Sequence, residues 1–514
     1  MMMRKDNKSL RKKFDYDITL IAIPIVLVVA LCLWFVTDPE GSLASLNHFG
    51  NFFVEKTGWF FLLFGAFMFG FSMWWAFSKR GKIRLGGENA VPTYSFGAYI
   101  AMVFSAGMAA SSVIFSMVEW MLYYAGPPFG VTPYTNEAAE WAMTYNFFNW
   151  GLTPACLTML LAIPFCYSYH IRKNPSLQLG DVVATLIGPE KKGVKVLSKI
   201  VNLIFIICIL GSLCCTMGMG VPNITRCLCT VFGWKNETLI SIIFILVVSV
   251  VFSFSSYLGI GKGLAKLSKL NVYWCGLFLV IILFGGSTLF ILNNITDSLG
   301  SMIQHFPEML LNADAINNYG FAQNWTIFFY CFAWGFVAMS AVVVTKISYG
   351  RTYKEMILGN TLGVACGLWV MMGINNSNSM SLQLNGVLDI VNIFETEGQH
   401  AAIIATLGES VLGPVVGVIF FAVMIILFLA TTMDAASLSL ASACMKAEKM
   451  DQEPSPFLRL LWCLVLAAVP FVLTLLGAGL ESLQAICNLA GWPIMIVGIY
   501  VLFKVNKWAK EDGY

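Results

Sequence analysis

Residues 325–352 read WTIFFYCFAWGFVAMSAVVVTKISYGRT, and the rest of the chain is best understood outward from them. Seven of the first twelve positions are aromatic, after which the run becomes a largely apolar helix and closes on Lys346 and Arg351. At 3.6 residues per turn, Trp325, Phe328, Phe332 and Phe336 share one stripe, while Tyr330 and Trp334 share a second. Ring faces at this density have two uses. They pack, as aromatic stripes in membrane helices usually do, or they attract a small cation to their quadrupoles.

The surrounding composition places this stretch in a bilayer. Of 514 residues 58% are hydrophobic and only 11% charged, with a mean hydropathy of +0.76, too apolar for a soluble chain of this length. Segments of about 20 apolar residues are needed to cross. Twelve are expected, at 18–36, 58–77, 96–124, 142–169, 201–221, 238–257, 273–292, 325–345, 356–372, 415–445, 457–476 and 483–503. The third, fourth and tenth are long, which predicts tilt or a break.

Charge supplies the orientation. If the N-terminus is cytoplasmic, the inner segments hold 28 of the 31 Lys and Arg, leaving Lys56, Arg226 and Lys235 outside. That asymmetry is what the positive-inside rule expects of twelve spans with both termini cytoplasmic. The net charge of +3 therefore reflects topology rather than a nucleic-acid surface. The first apolar run is too long for a cleaved signal peptide and lacks a small-residue cleavage site.

Several function classes lose support. The four His are not at ligand spacing, which argues against a catalytic metal. The fourteen Cys lie mostly within apolar spans and read as small buried hydrophobes. No phosphate-cradling loop and no nucleophile, base and oxyanion constellation is visible, so neither an ATPase nor an enzyme is expected.

Three spans depart from plain apolar helix. In the third, Ser105 to Ser112 is SAGMAASS, small apart from one Met, followed by Glu119. Such a segment either lets a neighbour approach closely or unwinds toward a cavity. Glu119 reads either as a pathway residue or as an anchor for the Pro127-Pro128 turn. The fourth span carries Asn149-Trp150-Gly151 and then Pro154, a local break at which an indole can stand clear. In the tenth, Thr431, Thr432, Asp434, Ser437, Ser439 and Ser442 form a polar face. Those hydroxyls suit an alkali cation, or else bond back to their own helix. The segment SLGSMIQHFPEMLLNADAI, ahead of the eighth span, has no Lys or Arg and is expected at the outer interface.

Taken together, the 325–352 block, Pro127-Pro128-Phe129-Gly130, Asn149-Trp150-Gly151 and Gly261-Lys262-Gly263 make the chain resemble the betaine/choline/carnitine transporters from its first span to its twelfth. The resemblance implies an all-α, leucine-transporter-like polytopic membrane protein with twelve transmembrane helices, in which spans 3–7 (96–292) and 8–12 (325–503) are inverted five-helix repeats. Two peripheral helices and a cytoplasmic tail (1–95) precede them, an interfacial segment (293–324) separates them, and a short cytoplasmic tail (504–514) follows. It further implies a homotrimer in the cell inner membrane, and a midplane site between spans 3 and 8.

Carried over residue by residue, the resemblance gives a depleted cage. Where the family's eighth-span core looks like Trp-Ala-Trp-Trp, this chain has Tyr330-Cys331-Phe332-Ala333; Trp150 is kept, but Ala155 and Leu122 stand where further rings are used. Each missing ring removes ~0.5 to 2 kcal/mol of cation attraction. The implied substrate-binding residues are Trp150, Phe332, Trp334 and Phe336 for the ammonium end, and Gly107, Met108, Ala109 and Ser111 for the carboxylate. A sodium ion is implied at Thr431, Thr432, Phe428, Ser105 and Met108. Sodium-independent exchangers of the family carry an Arg in the seventh span where this chain has Asn271. The expectation is thus sodium symport of a betaine-type compound or a small amino acid such as glycine, the alternative being sodium-independent antiport of carnitine- or betaine-like compounds. No further cofactor is implied, and the brief tail predicts nutrient uptake over osmotic sensing.

Overall fold

The computed structural model describes residues 16–107, 110–446, 452–476 and 480–514. Apart from two isolated β-bridges, the regular secondary structure of these residues is all helical. Eleven helices are long and apolar enough to cross a membrane, and a twelfth span results if one bent pair counts as a single crossing. The chain is a polytopic membrane protein.

In order, the helices are α1 (Ile18–Thr37), α2 (Pro39–Phe77), α3 (Phe96–Gly107), α4 (Ala110–Ala125), α5 (Asn136–Asn149), α6 (Leu152–Leu157), α7 (Met159–Cys166), α8 (Leu179–Ile187), α9 (Val194–Phe232), α10 (Glu237–Gly259), α11 (Ala265–Gly285), α12 (Thr288–Leu311), α13 (Phe328–Ile347), α14 (Tyr353–Leu384), α15 (Ile390–Glu397), α16 (Gln399–Gly408), α17 (Gly413–Ala443), α18 (Pro456–Leu475) and α19 (Leu480–Glu511). Burial follows from which helices face lipid. The best spanning window of α1 is 17% buried, whereas the segment Ala322–Ile347 is 100% buried. The aromatic stretch is the central post of the bundle, packed by α7, α9, α17 and α19.

Both expected irregularities in the first half are breaks. The third span is two helices, Phe96–Ser105 and Ala110–Ala125, meeting at 74°. The fourth stops at Asn149 and resumes at Leu152. Pro154 cannot donate to the carbonyl one turn back, and Gly151 is required because a Cβ there would lie 2.5 Å from the Phe147 carbonyl oxygen. The tenth span, α17, runs unbroken over 31 residues instead.

Several expected boundaries move. The seventh span ends at Gly285, and residues 288–292 belong to the next helix, α12. Its Phe306 packs on Phe148 at 5.6 Å and its His305 on Trp141 at 5.0 Å. The ninth span is 32 residues long, and residues 504–511, expected as tail, extend α19. Charged residues misled the reading at that end, because helix propensity continues past the apolar limit where charges begin.

The KISYGRT end of the aromatic stretch is a staple. Leu85 N–H donates to Arg351 O and Gly350 N–H to Leu85 O, both at 2.8 Å, and Arg84 Nη1 donates to Gly350 O at 2.6 Å. Gly350 sits at φ +80, where a Cβ would approach the Val91 carbonyl carbon to 2.3 Å, so no other residue fits without strain.

Candidate functional site

Where the break in the fourth span meets the aromatic post, the backbone leaves a cavity of ≈ 60 Å³. Trp150 and the break residues Gly151, Pro154 and Ala155 form one wall; Phe329, Phe332, Ala333, Phe336 and Ser340 of α13 form another. The five α13 positions follow an i, i+3, i+4, i+7, i+11 spacing, one face of a helix. Gly107 closes the cavity from the end of α3, and Asn360, Val364 and Leu368 close it from α14.

The rings meet edge to face. Trp150 lies 4.8 Å from Phe329 and 6.4 Å from Phe332, and Phe332 lies 5.1 Å from Phe336. Polar groups are few: Asn360 Nδ2 donates to Thr158 Oγ1 at 2.6 Å, and that hydroxyl donates to Ala155 O at 2.6 Å. A mostly apolar concavity with a small number of placed polar groups is the ordinary form of a small-molecule site.

Glu119 explains how the indole is held. Fully buried on α4, its carboxyl group accepts from Trp150 Nε1 at 2.5 Å and from the Tyr123 hydroxyl. Asn149 Nδ2 donates to the same Tyr123 oxygen at 3.0 Å, and Thr326 Oγ1 donates to Asn149 Oδ1 at 3.3 Å. This chain of bonds links α4, the break and the π-helical turn Ala322–Ile327 that opens the aromatic post. The sequence offered Glu119 two roles; the geometry assigns it the Trp150 ring.

The residues named from the sequence separate in space. Trp150, Phe332, Phe336 and Gly107 line the cavity together. Trp334 does not: it is fully buried on the opposite face of α13, 5.7 Å from Phe64 and over Gly491. Its expected place in the cage is therefore corrected, and the cause is the helical offset of about 200° between positions 332 and 334. Ser111 is buried away from the cavity lining, and its hydroxyl has no hydrogen-bond partner among the described residues. Met108 and Ala109 lie outside the described residues. Phe329 was overlooked because it falls off the 325–328–332–336 stripe, and Asn360, because nothing local marks α14 as a wall.

Of the ion residues implied by the resemblance, Phe428, Thr431 and Thr432 share adjacent turns of α17, and Ser105 stands on α3. Thr432 Oγ1 donates to Phe428 O at 2.8 Å, and Thr431 Oγ1 donates to Phe428 O and Leu427 O at 3.0 Å. Both hydroxyls thus bond back to their own helix. Asn271 Nδ2 donates to Thr431 Oγ1 at 3.3 Å, and Ser105 Oγ donates to Ser268 O at 3.4 Å. One turn on, Asp434 is held by Arg459 and by Ser255 Oγ at 2.5 Å.

Residues 19–514 match the family model described as BCCT, betaine/carnitine/choline family transporter. A carnitine transporter of Acinetobacter baumannii is 32% identical over 451 residues, covering 88% of this chain and 81% of that protein. An uncharacterized transporter, YeaV, of Escherichia coli K12 is 30% identical over 443 residues, covering 86% and 91%. With a match across nearly its whole length and a broken-helix cavity at its centre, the chain belongs to the betaine/carnitine/choline family of transporters.

Proposed function

We propose that the protein is a sodium symporter importing a compact zwitterion, a betaine-type compound or a small amino acid such as glycine. The observation that carries this reading is the ≈ 60 Å³ cavity, in which one indole and three phenyl rings face few polar groups. One Trp attracts a cation more weakly than several. The ammonium end would meet Trp150, Phe329, Phe332 and Phe336; the carboxylate end would meet the small-residue end of α3 at Gly107. The broken spans 3 and 4 give the cavity a hinge on one side, and alternating access follows as spans 3–7, read as one inverted repeat, rock against spans 8–12. Sodium held near Ser105, Phe428, Thr431 and Thr432 would favour the outward-open arrangement. The reading includes a homotrimer in the cell inner membrane with both termini cytoplasmic and α12 near the subunit contacts. Sodium-independent antiport of a carnitine-like compound is the second reading, favoured by the similarity to a carnitine transporter.

Thermal-shift measurements against glycine, sarcosine, glycine betaine, choline and carnitine, with and without sodium, separate these readings. Symport predicts stabilisation by one of the first three that deepens with sodium. Stabilisation by carnitine alone, indifferent to sodium, would replace it with exchange. In transport assays F332A should raise the half-saturating substrate concentration about tenfold, the order of one lost ring contact. F290A, at a site away from the cavity, serves as the control; equal effects would move the substrate elsewhere.

A further inference from the structure

Two buried oxygens on α11 stand out beside the residues already discussed. Ser268 and Asn271 are both 0% exposed, and neither Ser268 Oγ nor Asn271 Oδ1 has a hydrogen-bond partner among the described residues. They sit one turn apart, on one face of the helix. Backbone and side-chain bonds tie that face to its neighbours: Ser268 O accepts from Ser105 of α3, and the Asn271 amide nitrogen donates to Thr431 of α17. Since the nitrogen of Asn271 is spent on Thr431, its oxygen is the free end of the amide.

Buried acceptors left unmatched on adjacent turns call for a ligand that offers positive charge or donors. Among the described residues the neighbourhood supplies no unpaired positive charge. Lys266 and Lys269 of α11 are exposed. Asp434, a turn further along α17, is already engaged by Arg459 and Ser255. What the cluster does supply is neutral hard oxygen: an amide carbonyl, hydroxyls of Ser268, Ser105 and Thr431, and the helix carbonyl of Phe428. Hard, uncharged oxygen sets of this kind replace the water shell of a monovalent ion. An anion would meet only acceptor oxygens and hydroxyls with no cationic group.

We propose that Asn271 Oδ1 and Ser268 Oγ are themselves ligands of the coupling cation, so that the seventh span holds sodium together with the third and tenth. This rests on the symport reading. Its consequence is that ion binding joins three helices: α3 leads into the 74° break and the cavity residue Gly107, so a ligand set shared with α11 fixes the arm on which the break turns.

The test compares N271L, S268A and N271D with T432A, using uptake at graded sodium and the sodium-induced thermal shift of purified protein, with potassium chloride balancing ionic strength. N271L should raise the half-saturating sodium concentration at least tenfold and reduce the thermal shift at fixed sodium, while N271D, which keeps an oxygen, restores both. S268A, a smaller change tolerated by the fold, should raise it about threefold and covers the case in which N271L fails to fold. If T432A shifts sodium dependence while N271L and S268A match the parent, the α11 ligands are disproved and symport stands. If the parent protein itself responds equally to sodium and potassium, symport falls and this assignment falls with it.

Discussion

Arg459→Met is expected to lower the stability of the folded protein by about 3–5 kcal/mol, the usual cost of stranding one member of a buried ion pair. Arg459 is 2% exposed and Asp434 1%, and the guanidinium bonds the carboxylate directly. A second contact runs from Arg459 Nη2 to the Asp434 backbone carbonyl at 3.4 Å. Without the arginine, Asp434 loses the cation that balances its charge, and a carboxylate in a bilayer interior without a paired cation is poorly compensated. Thermal unfolding of the detergent-solubilised protein measures the loss. The double variant R459M/D434L should recover most of it, because replacing both partners by apolar groups removes the stranded charge. A single variant as stable as the parent would mean that the pair contributes registry between α17 and α18 and little else.

Glu119→Ala has the next largest expected effect, and it falls on function. The Glu119 carboxyl group accepts the Trp150 indole N–H at 2.5 Å and the Tyr123 hydroxyl. Removing it leaves both donors buried without that acceptor and frees the one indole that lines the cavity, a loss of ~2 kcal/mol. Expressed as affinity this is roughly a 30-fold rise in the half-saturating substrate concentration, with maximal rate largely preserved because ground state and transition state lose the same contact. Glu119→Gln keeps an acceptor for the indole and should fall between parent and E119A. An unchanged half-saturation in E119A would show that Trp150 is held by packing against Phe115, Phe329 and Phe332 alone, without help from the carboxyl group.

Much of the fold was legible because the bilayer imposes simple rules. Segment length and apolarity set the spans, and Pro154 with Gly151 marked a break that the helix geometry reproduces. The small-residue run at Ser105–Ser112 admitted two readings, and the 74° bend decides for unwinding or kinking over plain close packing. α12 was less legible. Its apolar and polar residues alternate on a helical face without spanning length in the sequence reading, and only its packing on α5 and α14 shows where it begins.

The site was legible in part. Trp150, Phe332 and Phe336 could be named because ring residues at a break and along one helical stripe are visible locally. Trp334 looked equally suitable in the sequence, yet it turns toward α2 and α19. Which of two aromatic stripes faces a cavity depends on what lies opposite each of them, and neighbours distant in sequence, Phe64 and Gly491 on one side and Leu368 on the other, settle it.

By itself, then, the amino-acid sequence determined that this chain is an all-helical membrane protein, roughly where its helices run, and where two of them must yield, since hydrophobicity, proline and glycine act locally. Tertiary structure alone decided that Glu119 serves Trp150, that Arg459 neutralises Asp434, and that Asn271 comes to rest beside Thr431. Those pairings join residues 25, 31 and 160 positions apart, on faces whose direction depends on how the helices close around one another, and no local pattern encodes such closure.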